Sequence, residues 1–243
     1  MLAEALILSG VCFVAAFCAG VAGFAFVLVG AGLLLHLLPP ATTAPILVLG
    51  SFVVQSLALR AVWQHVDWPM LRRYLVFAAP GMPVGVWLLT VIPAGPITAG
   101  VGALLTVYAG YMLARIGLRL PAPAVASSTM ADGAVGFISG ILGGIGGYVG
   151  ALPGMWADAQ GLGKETTRGL LQPFIVAMQG LTLPALAYGG FFTREALWLS
   201  FAALPGMLAG MLLGLAAFRR LPAQGFRLVL LVLLLVSGLS LLV

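Results

Sequence analysis

The sequence predicts an all-α, polytopic membrane protein made of two inverted repeats, each with about five helical segments and each opening on a broken or re-entrant Gly-rich arm. Composition, an internal duplication and the placement of basic residues carry that prediction. Of the 243 residues, 62% are hydrophobic and 7% charged, against about 25% charged in a typical soluble domain. A chain this apolar does not cover a water-facing surface. Windows such as Ala41 to Leu59 hold no charged residue and approach the length of about 20 needed to cross a bilayer core.

Cutting at Pro, Gly and charge leaves apolar blocks near residues 3–38, 41–62, 70–92 and 96–115, then 131–156, 169–190, 195–218 and 222–243. No basic residue precedes the first block and Glu4 stands there instead, so it reads as a retained membrane segment and not as a cleaved signal. Residues 116–130, with Pro121, Pro123 and Ser127-Ser-Thr129, are too polar to stay in the membrane. They divide a first membrane repeat (1–115) from a second (131–243).

The two series align at three anchors. Phe17-Cys-Ala-Gly-Val-Ala-Gly23 lies over Phe137-Ile-Ser-Gly-Ile-Leu-Gly143, Gln55 falls on Gln179, and Pro80-Gly-Met-Pro-Val-Gly85 lies over Pro205-Gly-Met-Leu-Ala-Gly210. The first block of each series is too long for one ordinary span and short for two, and the basic residues decide between them. One crossing per block leaves them unbiased between the two sides. Two arms per block put Arg60, Arg72, Arg73, Arg115, Arg119, Lys164, Arg168, Arg219, Arg220 and Arg227 on one side with Arg194 alone opposite, a positive-inside pattern that makes the halves inverted. A re-entrant pair of arms has the same parity. The net charge of +5 is therefore a topology signal and predicts no nucleic-acid partner.

Inverted repeats with broken segments are the architecture of many secondary transporters, which bind substrate where the breaks expose backbone groups. The second arm holds Gly143, Gly144, Gly146 and Gly147, followed by Tyr148. Its glycines suit close approach of backbone N–H groups to an anion, and they equally suit tight helix packing. Trp156 follows. Lys164, Arg168 and Gln172 then recur at four-residue steps and share a helix face, with Gln179 two turns deeper. An amide facing lipid is costly, so Gln172 and Gln179 are expected to face the protein interior. The first half offers Gln55, Ser51, Thr42, Thr43 and His36, the last a candidate proton relay or an interfacial hydrogen-bonder.

Cys12 and Cys18 lie on different faces of one helix and suit packing better than a disulfide or a metal. The chain has no Walker A motif, no His-Glu-x-x-His pair and no carboxylate cluster, which argues against an enzyme and against a metal or other cofactor. Asp158 is expected to cap a helix or to pair with Lys164.

At the Gly-rich arms, above all Gly136-Phe-Ile-Ser-Gly-Ile-Leu-Gly-Gly144, and at the paired Pro-Gly-Met segments, the whole chain resembles the TauE/SafE sulfite exporter family, also called the 4-toluene sulfonate uptake permease family. The resemblance implies a multi-pass protein of a bacterial-type inner membrane that moves sulfite, sulfonates or related sulfur or carboxylate anions. It also implies coupling to an ion gradient, with a proton or another ion as the driver. Its first arm, Gly20-Val-Ala-Gly-Phe-Ala-Phe26, is poorer in glycine than the family pattern, which weights the expected site toward the second half. The expected substrate-binding set is Gln172, Gln179, Arg168, Trp156, Gln55, Gly144, Gly146, Gly147, Tyr148 and His36. Expected partners are a small anionic substrate and membrane lipid, with a homo-oligomer left open. The competing reading is a membrane scaffold or assembly factor in which the glycines only pack helices.

Overall fold

Every element of the computed structural model is helical. It describes residues 2–91, 94–118 and 125–242; Arg119, Pro121 and Pro123 of the expected linker lie outside them. The first five helices are α1 (Leu2–Ala22), α2 (Phe26–Leu34), α3 (Pro40–Val62), α4 (Trp68–Val91) and α5 (Ala94–Gly117), with a 3-10 turn, Trp63–His65, between α3 and α4. The next five are α6 (Thr129–Gly146), α7 (Ala151–Ala159), α8 (Lys164–Tyr188), α9 (Arg194–Arg220) and α10 (Ala223–Ser240). Five of them, α3, α6, α8, α9 and α10, are long and apolar enough to cross a membrane by length and composition. The chain is a multi-pass membrane protein.

Element order repeats: a long helix, a short helix of 9 residues, then three long helices, twice over. Local chemistry sets the boundaries. Ser128 Oγ accepts from the Ala131 N–H (3.1 Å) to cap α6, and Thr193 Oγ1 accepts from the Ala196 N–H (3.1 Å) to cap α9. Gly23 and Gly147 end the opening helices in the left-handed region, at φ 91° and 78°, where a side chain is strained. Gly147 closes α6 as an αL cap, its N–H donating to Gly143 O, and the Tyr148 N–H reaches back to Leu142 O. α8 begins at Lys164, five residues before the apolar block at 169, so Arg168 lies inside the helix.

The arms are therefore unequal: 21 and 9 residues in the first half, 18 and 9 in the second. α6 and α7 fold back on each other, because Trp156 and Gln160 near the end of α7 both donate to Asp132 in the first turn of α6. The two breaks stand at equivalent places in the order of elements. Gly23 and Gly147 are related by the same 124-residue step that relates Gln55 to Gln179.

Packing runs through glycine at two long seams. In one, α6 lies on α4: a Cβ at Gly136, Gly140 or Gly144 would collide with the carbonyl oxygens of Tyr74, Ala78 and Met82, and one at Gly81 or Gly85 with those of Phe137 and Ile141. In the other, α9 lies on α1, with Gly206, Gly210 and Gly214 against the carbonyls of Ser9, Phe13 and Phe17. Both orders ascend together, so each pair runs parallel. Lipid supplies no hydrophobic force between helices, and such close backbone approach supplies dispersion contact instead. α3 runs antiparallel to α8, with Phe52 against Gly180 and His65, just past the end of α3, against Gly169, while α5 packs on α10.

Gly140→Val is expected to lower the thermal midpoint of the detergent-solubilised protein by several degrees or to abolish monodisperse expression, because the obstructing atom is backbone and cannot yield. Gly110→Ala, with open space around it, should leave the midpoint unchanged or raise it slightly. Fluorescence-detected size exclusion after a heating series reads both.

Candidate functional site

Two helix breaks inside a membrane free backbone carbonyls that no water reaches, and each unsatisfied group costs several kcal/mol there. The protein answers with two glutamines. Gln55 Nε2 on α3 donates to Gly23 O (2.5 Å), and Gln179 Nε2 on α8 donates to Gly147 O (3.3 Å). Both side chains are fully buried and both lie 32 residues after the carbonyl they satisfy. Thr43 and Thr167 repeat the pattern lower down, each Oγ1 donating to the carbonyl five residues back, Leu38 O and Leu162 O. The breaks also meet: a Cβ at Gly150 would fall 2.6 Å from Phe24 Cβ, and one at Gly147 would touch Val27 and Val48.

Arg168 occupies this crossing. Its relative exposure is 0%, the largest side chain buried so completely. The aliphatic stem lies against Gly23, where an added Cβ would sit 3.3 Å from Arg168 Cγ. The guanidinium stacks on Phe218 with Cζ 4.1 Å from the ring centroid. With the Gln172 amide oriented so that Nε2 donates to Ala58 O (3.1 Å), its Oε1 accepts from Arg168 Nε (3.3 Å) and from Nη2. Arg168 Nη1 has no partner, nor have Gln55 Oε1 and Gln179 Oε1. Among the described residues no carboxylate pairs with Arg168. A buried ionisable group of this kind in a membrane protein is a candidate functional residue.

The family model of the sulfite exporter TauE/SafE matches residues 8–241. The chain belongs to the TauE/SafE sulfite exporter family. Comparison with curated proteins and with solved structures finds no match. Membership makes this a membrane protein of an anion-export family, and the TauE/SafE match spans both helix breaks and every residue of the crossing.

Of the expected set, Arg168, Gln172 and Gln55 come together around Gly23, while Gln179 and Gly147 pair at the second break, about three helical turns farther along α8. Tyr148 is buried beside the second break, its ring covering Gly146 at 2.6 Å from a would-be Cβ. Gly144 belongs to the seam with α4 and faces Met82 O. His36 is exposed in the turn after α2. Trp156 is engaged elsewhere, its Nε1 donating to Asp132 Oδ1 (2.9 Å). Asp132 is the residue the sequence reading missed. It is fully buried and also accepts from Ser127 Oγ (3.0 Å), Gln160 Nε2 (3.2 Å) and Tyr74 OH (3.5 Å), with Arg73 Nη1 at 3.3 Å. A lone acid in the first turn of an apolar helix was the available signal. Asp158 does not pair with Lys164: Arg227 takes it, at 2.6 Å from Nε, with Tyr108 OH at 3.0 Å. Lys164 Nζ donates instead to Leu221 O (2.8 Å).

Trp156→Phe therefore should cost about 1 kcal/mol of stability, one hydrogen bond to a carboxylate that keeps other donors, and leave anion affinity within about twofold of wild type, within a few tenths of a kcal/mol. Thermal denaturation with and without sulfite separates the two effects.

Proposed function

We propose that this protein is a secondary transporter of sulfite, sulfonates or related sulfur or carboxylate anions, driven by an ion gradient across a bacterial-type inner membrane. Arg168 carries the reading. Taking an ion out of water costs several kcal/mol, and structural reasons alone do not balance that. A desolvated cation–π contact returns about 2 kcal/mol and a hydrogen bond to a charged group about 1.5–3. Phe218 and Gln172 thus offset much of the penalty while Nη1 stays unpaired. An oxyanion arriving at Nη1 supplies the missing acceptor and the missing charge. Arginine suits this better than lysine because its planar fork matches an oxyanion face.

Alternating access in such a frame follows from inverted halves, and we propose that residues 1–115 and 131–243 are so related. Support comes from direction. Arg219 at the end of α9, His65 just before α4 and Lys164 at the start of α8 line one cavity of about 200 Å³, so α9 ends where α4 begins. α1 runs with α9 and α6 with α4, hence α1 and α6 run oppositely. The Arg227–Asp158 and Arg73–Asp132 pairs join the basic residues of α10 and α4 to α7 and α6. The basic end is the cytoplasmic one by the positive-inside rule.

Arg168→Met in proteoliposomes is expected to reduce sulfite or sulfonate flux by at least about thirtyfold, equivalent to about 2 kcal/mol or more for truncating a buried charged contact. The same substitution should leave thermal stability equal or higher, since a buried unpaired charge is removed. A scaffold would have no anion flux to lose. Equal flux in Arg168→Met and wild type would contradict the assignment.

A further inference from the structure

The unpartnered atoms at the crossing differ in kind, and the difference specifies the ligand. Arg168 Nη1 is a donor, whereas Gln55 Oε1 and Gln179 Oε1 are acceptors. The amide orientations follow from their neighbours: each Nε2 faces a carbonyl oxygen, Gly23 O or Gly147 O. Turning either amide over would set oxygen against oxygen. Gln172 has both ends of its amide engaged, one by Ala58 O and one by Arg168. A bare anion satisfies Arg168 and nothing else. Brought against Gln55, whose partner Gly23 lies directly on the Arg168 stem, it would meet a second lone pair.

We propose that the site recognises an oxyanion that carries its own hydrogen-bond donor. Charge goes to Arg168 Nη1 and the ligand's O–H or N–H goes to Gln55 Oε1, which is joined to the Arg168 stem through Gly23. For sulfite the recognised species is the hydrogensulfite monoanion in its hydroxyl form, not the dianion. Among sulfonates it is those bearing a hydroxyl or ammonium group, not plain alkylsulfonates. This rests on the Arg168 reading and adds a selectivity to it. It also places the proton. When hydrogensulfite crosses, the proton travels on the substrate and no titratable side chain need relay it at the crossing. The acids around the crossing agree: Glu165, one turn before Arg168, is paired with Lys164, Asp132 and Asp158 are held by Arg73 and Arg227, and His36 is exposed.

A site built around a substrate hydroxyl rejects the analogue lacking it, because its own buried polar group is left unpaired. The test is initial flux into proteoliposomes at equal pH on both sides. Labelled sulfite is followed through a pH series spanning its second ionisation, and hydroxyethanesulfonate is compared with ethanesulfonate. Sulfite flux is expected to fall as pH rises, in step with the monoanion fraction, and the hydroxylated sulfonate to move about tenfold faster or more than its partner. Gln55→Met should bring that ratio close to unity. If Gln55→Met does not fold, the two wild-type measurements decide alone. Flux that follows the dianion, or equal movement of the two sulfonates, overturns the proposal. So does sodium-dependent flux indifferent to the hydroxyl, which would assign the glutamine oxygens to a coupling cation. Flux of ethanesulfonate and of the dianion would leave the transporter reading standing, whereas no flux of any anion at any pH removes that reading as well.

Discussion

A backbone carbonyl released inside a membrane must find a donor within the protein, and much of the central architecture follows from meeting that requirement twice. Gly23 and Gly147 break the opening helix of each half, and Gln55 and Gln179 supply the amide N–H groups. Because the donors sit on α3 and α8, each break is pinned to the central pair of helices. The long arms are held from outside by the glycine seams with α9 and α4. Breaks, amides and seams therefore bring irregular backbone to one buried place, where it is tolerated only because protein surrounds it.

The order of long and short helices recurs, but the chemistry does not. At the 124-residue step Arg168 corresponds to Ala44 and Gln172 to Val48. One half thus provides the cation and the amide that orients it, while the other provides Gly23, against which the arginine stem rests, and Gln55 beside it. Phe218 of α9 closes the remaining face of the guanidinium. An anion held in this way would be bound by one charge and a few hydrogen bonds, which favours release as well as capture. The short arms differ too. α7 is tied at its far end through Trp156, Gln160 and Asp158 to α6, α5 and α10, whereas the matching end of α2 carries Gly32, Leu34 and His36.

Much of this was legible in the sequence. Segment boundaries followed from Pro, Gly and charge because a bilayer enforces length and apolarity more strictly than water does. Buried Gln172 and Gln179 were legible because an amide has no place against lipid. Arg168 was harder, since a cation near a helix start reads equally as an end marker; only its stacking on Phe218 and its contact with Gly23 reveal it as interior. The place of the break within each arm was not legible because glycine repeats at three- and four-residue steps align with themselves. Positive φ at Gly23 and Gly147 resolves it. The partners of Trp156 and Asp158, Asp132 and Arg227, were not legible because they are distant in sequence and their proximity depends on α6, α7 and α10 folding together.

The central claim is that the two helix breaks and Arg168 form one oxyanion site. Selenite, a sulfite analogue whose selenium scatters anomalously, locates that site directly. In crystals of the wild-type protein grown with selenite, the account predicts an anomalous peak within hydrogen-bonding reach of Arg168 Nη1, on the side that faces Gln55 Oε1. A peak confined to the basic cavity at Lys164 and Arg219, with none at Arg168, would contradict it.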